Sequence, residues 1–389
     1  FLLETWLILA LLLRGAHLVK ANTFKKKSTL VNVLYLASVV EIPQSAHGGL
    51  GGTSHVVEVA RHLGRCGAKV TVFSGGRGTG DEWIEYDGVQ VRRFYYGRPN
   101  PRKRSANASQ TTYIGTRYIR WPQRFLESLV DTIRIVIWAR KHDVNLIYER
   151  ASRYSIAGTL ASRLFGYPLI TEVNDLYFHT LTLQQSQAIV IPEPKVLSNR
   201  LQTKCFPLPW GVDIDRIHPM DPPSNLTERL DVQGHPTVAF MGSFLPWHGT
   251  QAIVQSAPAV LQRFPDTRFL MIGTGPDELT LKEEVKQQGL SQNFVFTGFV
   301  EHSMIGNYLA TANVLLAPYN NLLKAEAGRA DMASSLKIFE YMAAGKPVVV
   351  TEVGNRNGAV EHGKNGLVIE NLESNNLANA ICHLLENEE

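Results

Sequence analysis

A stretch near the carboxyl end, residues 334–350, combines residue types that can bind a phosphate and a sugar hydroxyl. Apolar side chains recur at helical spacing over residues 336–342, and Pro347 separates this helix from a run of valines. Because the first N–H groups of a helix are unpaired and carry partial positive charge, its N-terminus suits a phosphate. Glu340 lies about 1.5 turns further along and can accept hydrogen bonds from a polyol such as ribose. The stretch therefore predicts a nucleotide-sugar site; the alternative is a surface helix capped by Ser334, with Glu340 in solvent.

The elements that position this stretch are predicted from the alternation of apolar runs with helical periodicity. In the second half of the chain, four runs of strand composition are separated by loops and helical segments. They are residues 237–242, 269–273, 294–298 and 314–319. With the valines as a fifth strand, the alternation predicts a parallel sheet with helices on both faces.

The first half of the chain begins with the same alternation of predicted strands and helices. An apolar run at residues 31–40 leads into a glycine-rich loop at 48–53, then a helical pattern and a second apolar run at 70–73. This is a βαβ unit, and its right-handed crossover places the loop at the carboxyl edge of a parallel sheet, where ligands bind. Gly51 and Gly52 would let backbone N–H groups approach such a ligand. The spacing is not G-x-G-x-x-G, which argues against a nicotinamide site.

Two later strands of the first half end in polar side chains. One predicted strand finishes with Glu149 and Arg150, and the next finishes with Asn174 and Asp175. Because the carboxyl ends of parallel strands meet at one edge of a sheet, two consecutive polar ends favour a site over ordinary solvation of strand ends.

Residues 334–349 resemble the donor-site signature of the retaining family 4 glycosyltransferases, the glycosyl transferases group 1, in members written S-x-L-K-x-F-E-Y-M-A-x-G-K-P-V-V. The resemblance covers the second half of the chain closely and the first half loosely. It implies the GT-B fold of the α/β class, in which two Rossmann-like parallel-sheet domains face each other across a cleft. It also implies that the strand ends at Arg150 and Asp175 line this cleft. Residues 209–213, Pro-Trp-Gly-Val-Asp, resemble the hinge between those domains.

The resemblance also implies a domain division and an activity. We expect residues 1–29 to lie outside the fold, an acceptor-side domain at 30–211, and a nucleotide-sugar donor domain at 212–389 that is cut short at its end. The implied activity is transfer of a hexose from a UDP- or GDP-sugar to a hydroxyl of a polysaccharide, glycolipid or small molecule, with retention of configuration. The nucleotide sugar is a substrate, and the resemblance implies no cofactor and no metal ion.

Individual site residues follow from the resemblance. Those expected to bind the donor are Gly51, Gly52, Ser243, His248, Gly249, Ser334, Ser335, Leu336, Lys337 and Glu340. Those expected to take part in catalysis are Asn174, Asp175, His248 and Lys337. In the implied chemistry the helix N-terminus, Lys337 and His248 stabilise the leaving diphosphate, which itself takes the proton of the acceptor.

Three positions depart from the family pattern. Ser243 and His248 stand where relatives carry two cations, and the ordinary histidine pKa of about 6.5 predicts partial protonation of His248 at neutral pH. Met332 stands where relatives carry a carboxylate that contacts the transferred sugar. Two alternatives therefore stay open: a nucleotide-binding scaffold protein of glycan assembly with impaired catalysis, and a GT-B nucleotide-sugar epimerase.

The composition is that of a globular protein. The 389 residues are 44% hydrophobic and 19% charged. The net charge of +4 is small and the cations are spread along the chain, so the composition does not indicate nucleic-acid binding. Three scattered cysteines without metal-ligand spacing indicate a reducing compartment. The basic run at residues 98–104 fits a solvated loop or a contact with anionic lipid head groups.

The first residues carry a short apolar run at 6–13, below the roughly 20 residues that cross a bilayer. It fits a signal-peptide core, translated upstream sequence or a trimmed membrane-touching segment. We expect a cytoplasmic protein with peripheral contact at the inner face of the membrane.

Overall fold

The computed structural model describes residues 31–41, 51–76, 82–86, 89–95, 121–151, 156–174, 180–208, 211–320, 336–355 and 358–387. The chain divides into two compact units, Phe1–Pro209 and Trp210–Glu389. The sequence expectation placed this division after residue 211.

Within its described residues, the first unit is built on an eight-stranded sheet. Its strands are β1 (Asn32–Glu41), β2 (Lys69–Gly76), β3 (Glu82–Tyr86), β4 (Val89–Tyr95), β5 (Leu146–Arg150), β6 (Leu169–Glu172), β7 (Ala188–Ile191) and β8 (Cys205–Pro207). Its helices are α1 (Gly51–Arg65), α2 (Trp121–Lys141), α3 (Ala157–Phe165), α4 (Thr180–Gln185) and α5 (Asn199–Gln202). The strand order is β3-β4-β2-β1-β5-β6-β7-β8. Every neighbouring pair is parallel except β3 with β4, which form an antiparallel hairpin.

Helices cover both faces of the first sheet. Val57 and Leu63 of α1 pack on one face. Ile135 of α2 and Ala161 of α3 pack on the other. The strand order reverses direction between β1 and β5, and Val33 near the start of β1 pairs with both neighbours. None of the described helices is long and apolar enough to cross a bilayer.

The second unit is built on a six-stranded sheet in its described residues, and all of the neighbouring pairs are parallel. Its strands are β9 (Thr237–Met241), β10 (Arg268–Ile272), β11 (Phe294–Gly298), β12 (Val314–Ala317), β13 (Val348–Thr351) and β14 (Gly366–Ile369). Its helices are α6 (Ser224–Arg229), α7 (Thr250–Arg263), α8 (Glu278–Gln287), α9 (Ile305–Ala310), α10 (Leu336–Ala343) and α11 (Ser374–Glu386). The order β11-β10-β9-β12-β13-β14 reverses direction between β9 and β12.

The helix and strand predicted in the stretch 334–350 are present as α10 and β13. The valines of β13 are fully buried, which agrees with a central strand covered on both faces. Ile338 and Tyr341 of α10 pack on one face of the sheet, while α7, α8 and α11 cover the other. Tyr341 also fixes the position of α10 on the sheet. Its hydroxyl accepts a hydrogen bond from the Met241 N–H at 2.9 Å and donates one to the Leu316 carbonyl at 3.2 Å.

Candidate functional site

Two loops meet at the carboxyl edge of the second sheet, where the strand order reverses. Ser243 and His248 follow β9, and Asn320 follows β12. The Asn320 side-chain amide donates to the Pro246 carbonyl at 2.6 Å, which joins the two loops. Ligands of open α/β sheets bind outside the strand ends at such a reversal. This edge is therefore the candidate site, and α10 begins beside it.

Gly249 allows the loop after β9 to pass close to β12. Its φ is +66°, and an added Cβ would lie 1.7 Å from the carbonyl oxygen of Pro318. A side chain at this position would therefore displace the backbone of the neighbouring loop. The structure gives Gly249 this packing role, and its contact with the donor stays a prediction.

The most unusual group of the site is the side chain of Lys337, in the first turn of α10. The residue is only 7% exposed, and its Nζ lies 4.3 Å from the ring centroid of Phe240 and 5.0 Å from that of Tyr319. An added Cβ at Gly242 would lie 2.9 Å from the same Nζ. Among the described residues, no hydrogen-bond acceptor reaches this Nζ. Lys337 thus presents a buried ammonium group that lies against two aromatic faces and a glycine.

Burial governs the charge of Lys337. Loss of solvation lowers the pKa of its ammonium group to about 7, although the carboxylate of Glu340 acts in the opposite direction. The group is therefore near half protonation at neutral pH. Because a nearby anion favours the charged form, a phosphate bound here would restore the full positive charge.

His248 is neutral, which corrects the expectation of partial protonation. Burial and the nearby Lys337 lower its pKa to about 3, although the contact with the Ser243 carbonyl acts against them. Its Nδ1 lies 2.5 Å from that carbonyl oxygen, which can only accept, so Nδ1 carries the proton. The other ring nitrogen, Nε2, is then an acceptor. Because solvation of the whole side chain is not visible in a sequence, the ordinary pKa was the wrong reference.

Glu340 is held by a residue that the sequence analysis did not select. The Nε2 atom of His302 lies 2.8 Å from Oε1 of Glu340. His302 follows β11, and Glu340 lies on the inner part of α10 with 9% of its surface exposed. The rule that polar side chains at a strand end mark a site, applied to the end of β11, would have selected His302.

The first unit carries a second polar cluster, which is centred on Glu172 at the end of β6. The carboxylate accepts hydrogen bonds from the Tyr35 hydroxyl at 2.8 Å, from Nε2 of His55 and from Nδ2 of Asn174. Burial alone would raise the pKa of Glu172, but His55, Arg150 and Asn174 together hold it well below its usual range. Glu172 is therefore a buried carboxylate. It connects β1, α1, β5 and the end of β6 at the carboxyl edge of the first sheet.

The two residues at the end of β5 point in different directions. Arg150 pairs with Glu172 in the sheet register and lies near its carboxylate. Glu149, in contrast, is 1% exposed and lies against the first turn of α3, where the Gly158 N–H donates to it at 3.4 Å. Burial raises the pKa of Glu149 to about 8, so its carboxyl is mostly protonated at pH 7. Glu149 therefore adds little charge to this strand end at neutral pH, and it faces away from the cluster around Glu172. Alternation of side chains along a strand is the reason.

The remaining predicted site residues are only partly described. Gly51 and Gly52 form the first turn of α1, where a loop was predicted, and Leu336 begins α10. Asp175, Ser334, Ser335 and Met332 lie outside the described residues. In the part of the chain that is described, no three His, Cys, Asp or Glu side chains are grouped to hold a metal ion. The roles of all of these residues stay predictions.

Residues 235–387 match the family model described as Glycosyl transferases group 1. This part of the chain belongs to that family. The domain is similar to the GDP-mannose-dependent alpha-(1-6)-phosphatidylinositol monomannoside mannosyltransferase of Mycobacterium tuberculosis, with 29% identity over 180 residues, 46% of each chain. The chain spans about half the length of the first curated relatives it matches.

A longer match is with the 2-deoxystreptamine N-acetyl-D-glucosaminyltransferase of Niallia circulans. The identity is 25% over 348 residues, and the match covers 79% of this chain and 86% of that protein.

Solved structures that are similar to this chain extend over both units. Anabaena HepE in complex with UDP and glucose has a TM-score of 0.62 at 19% identity and covers 91% of this chain and 90% of its own. A glycosyltransferase from Rickettsia africae has a TM-score of 0.66 at 15% identity. The match covers 92% of this chain and 89% of the Rickettsia chain. At these identities the likeness concerns the fold. The predicted GT-B class, with two mostly parallel sheets and their helices, is confirmed.

Proposed function

We propose that this protein transfers a sugar from a nucleoside diphosphate sugar to a hydroxyl acceptor, with retention at the anomeric carbon. The observation that carries the proposal is the ammonium group of Lys337, which is buried without a described acceptor at the carboxyl edge of a glycosyl transferases group 1 domain. A buried charge is costly unless a partner replaces the water it has lost. The diphosphate of the donor is such a partner, and a neutral ligand is not.

The names of similar proteins support this ligand class. The mannosyltransferase of Mycobacterium tuberculosis is named for its dependence on GDP-mannose, and HepE was solved with UDP. We therefore propose a UDP- or GDP-sugar as the donor. The acceptor is a hydroxyl of a polysaccharide, glycolipid or small molecule, and Asn174 and Asp175 belong to its side of the reaction. As the resemblance implies, the reaction uses no cofactor and no metal ion.

Each described group of the site has a role in this proposal. The diphosphate lies against the N-terminus of α10 and Lys337, with added contacts from Ser334 and Ser335. Glu340 accepts hydrogen bonds from the ribose hydroxyls. His248 is neutral, so its Nε2 accepts a hydrogen bond from a hydroxyl of the transferred sugar.

The reaction exchanges one bond at the anomeric carbon for another. The bond to the diphosphate oxygen breaks, and the bond to the acceptor oxygen forms on the same face of the sugar. The leaving diphosphate takes the proton of the acceptor hydroxyl. Lys337 stabilises the negative charge that develops on the leaving oxygen, and it does so in surroundings from which water is largely excluded.

The test is a calorimetric titration of the full chain with UDP, GDP and ADP, repeated on Lys337→Met. We expect saturable binding of one nucleotide, and a loss of about 1 to 3 kcal/mol of binding free energy in the variant. The matched control is Lys346→Met, because Lys346 is a half-buried lysine beyond the opposite end of α10. This control should bind as the unchanged protein does.

Three outcomes would argue against the proposal. Absence of saturable binding for every nucleotide would contradict it directly. Binding without any turnover of nucleotide sugars would favour the scaffold protein, which Met332 also suggests. Release of nucleotide from a nucleotide sugar in the absence of an acceptor would favour the epimerase.

A further inference from the structure

Helix α2 is apolar on its outer side as well as on the side that packs on the sheet. Its inner side chains include Ile135, Val136 and Ala139, which belong to the core. The outer side exposes apolar residues four positions apart: Ile133 is 58% exposed and Ile137 is 63% exposed. A surface helix ordinarily carries polar side chains on the side that faces away from the core. The outer side of α2 is therefore expected to have a partner.

The next two helices extend this apolar surface. Leu164 of α3 is 64% exposed and Leu181 of α4 is 55% exposed. Close contacts join the three helices into one layer: the Thr132 hydroxyl oxygen lies 3.4 Å from the Ala157 carbonyl oxygen, and the Thr159 hydroxyl donates to that of Thr182 at 2.7 Å. We call the exposed side of this layer the outer face. Its exposed apolar residues are Leu129, Val130, Ile133, Ile137, Leu164, Phe165 and Leu181.

The charges on the outer face have one sign. Its exposed cations are Arg134, Arg140, Lys141 and Arg163. The described side chains of the three helices include one acid, Asp131, which is buried and whose Oδ1 lies 3.8 Å from Nη1 of Arg134. The charge of Arg134 is therefore partly offset within α2. In the whole chain cations and acids are nearly balanced, 39 against 35, so the composition does not account for this difference.

One of these cations also contacts the apolar residues. The guanidinium carbon of Arg140 lies 5.5 Å from the ring centroid of Phe165. A cation over an aromatic face covers apolar surface while its remaining N–H groups stay available for an anion. The apolar and cationic parts of the outer face therefore adjoin at the carboxyl ends of α2 and α3.

We propose that the outer face binds the surface of a membrane that contains anionic lipids. Apolar side chains of a helix lying flat enter the boundary between head groups and acyl chains, while lysine and arginine side chains contact lipid phosphates. The outer face supplies both classes of side chain and exposes no described acid that the lipid phosphates would repel. This proposal goes beyond the proposed sugar transfer and does not depend on it.

The test is flotation of the full chain with two kinds of vesicle, one of phosphatidylcholine alone and one in which roughly one-third of the lipid is phosphatidylglycerol. We expect flotation with the anionic vesicles and a loss of binding as salt is raised. The double variant Ile133→Ser with Ile137→Ser should partition about tenfold more weakly or worse. Its control is Leu279→Ser, an exposed leucine of α8 in the second unit, which should change nothing.

The cationic part of the face is tested separately. Lys141→Gln with Arg163→Gln should weaken binding to the anionic vesicles, whereas Lys286→Gln on α8 should not. Nucleotide titration of each variant shows whether the second unit keeps its ligand, and circular dichroism shows whether the chain is folded. If the unchanged protein binds vesicles but no nucleotide, the proposed sugar transfer fails and the membrane proposal stands.

Several results would overturn the proposal. These are no flotation with anionic vesicles, equal flotation with neutral vesicles at all salt concentrations, and equal flotation of the double variant and the unchanged protein. A dimer that forms without lipid and is lost in the double variant would assign the outer face to a second copy of the chain. Vesicle binding that disappears on deletion of residues 1–29, but not in the double variant, would assign it to that segment.

Discussion

The imidazole of His302 and the carboxylate of Glu340 lie 2.8 Å apart, although 38 residues separate them in the chain. A carboxylate can only accept, so Nε2 of His302 carries the proton. This contact occupies Oε1 of Glu340 and fixes the rotation of the carboxylate about its last bond. In the proposed function the other oxygen then faces the ribose in one orientation. His302 is thus a positioning residue for the donor site.

Replacement of His302 by leucine should weaken nucleotide binding. The variant leaves a largely buried carboxylate without its donor and free to rotate, which costs about 1 to 2 kcal/mol, or five- to thirtyfold in Kd. Calorimetric titration with the nucleotide that the unchanged protein binds gives this number directly. The conservative variant His302→Gln keeps an N–H donor and should recover part of the affinity.

The control for this prediction is His383→Leu, because His383 is exposed on α11. It should bind nucleotide as the unchanged protein does. Equal affinity for His302→Leu and His383→Leu, together with weaker binding by Glu340→Ala, would remove His302 from the site while leaving Glu340 in it.

Affinity for a nucleotide sugar should fall as pH rises above neutrality. The pKa of Lys337 is lowered to about 7 in the free protein, and a bound diphosphate would raise it. Below pH 7 the ammonium group is already charged, so binding gains nothing from further acidification. Above pH 7 binding must first take up a proton, and affinity should decrease by up to about tenfold for each pH unit. A nucleotide sugar is the suitable probe because its diphosphate does not itself titrate in this range.

The arginine variant separates this titration from other effects of pH. Lys337→Arg carries a charge that persists throughout the range, so any binding that it retains should be independent of pH between 7 and 9. A fall in affinity of equal steepness in the unchanged protein and in Lys337→Arg would show that another group titrates.

The sequence predicted the elements of this site better than it predicted their charges. The periodicity of residues 336–342 and the valines after Pro347 are local signals, and both elements formed where they were expected. The charge of His248 depends on burial by side chains from several strands, and no local pattern contains that information. The ordinary pKa therefore led to the wrong protonation state.

Pairings between distant residues were also missed. Glu172 contacts His55 across 117 residues and Tyr35 across 137. Each residue is unremarkable in its own segment, and only the strand order brings them together. The outer face of the three-helix layer was missed for a related reason. Periodicity predicts each helix, but a sequence does not distinguish an exposed apolar residue from one in the core.

The last prediction concerns Glu149 and the stability of the first unit. Its pKa of about 8 in the folded protein lies above its ordinary value of 4.5, because burial disfavours the ionised carboxyl. The folded state therefore binds more protons than the unfolded state between these values. The stability that Glu149 contributes is fully present below about pH 4.5 and is lost as pH rises through 8.

Glu149→Gln stays neutral at every pH and removes this dependence. Between pH 4.5 and 8.5 the free energy of unfolding of the unchanged protein should fall relative to the variant by on the order of 2 to 4 kcal/mol. Denaturant titrations followed by circular dichroism at several pH values measure the difference. The control Glu361→Gln replaces an exposed carboxylate and should follow the unchanged protein at every pH. A constant difference between Glu149→Gln and the unchanged protein over this range would mean that Glu149 ionises normally in the folded state, with water or a cation reaching its carboxylate.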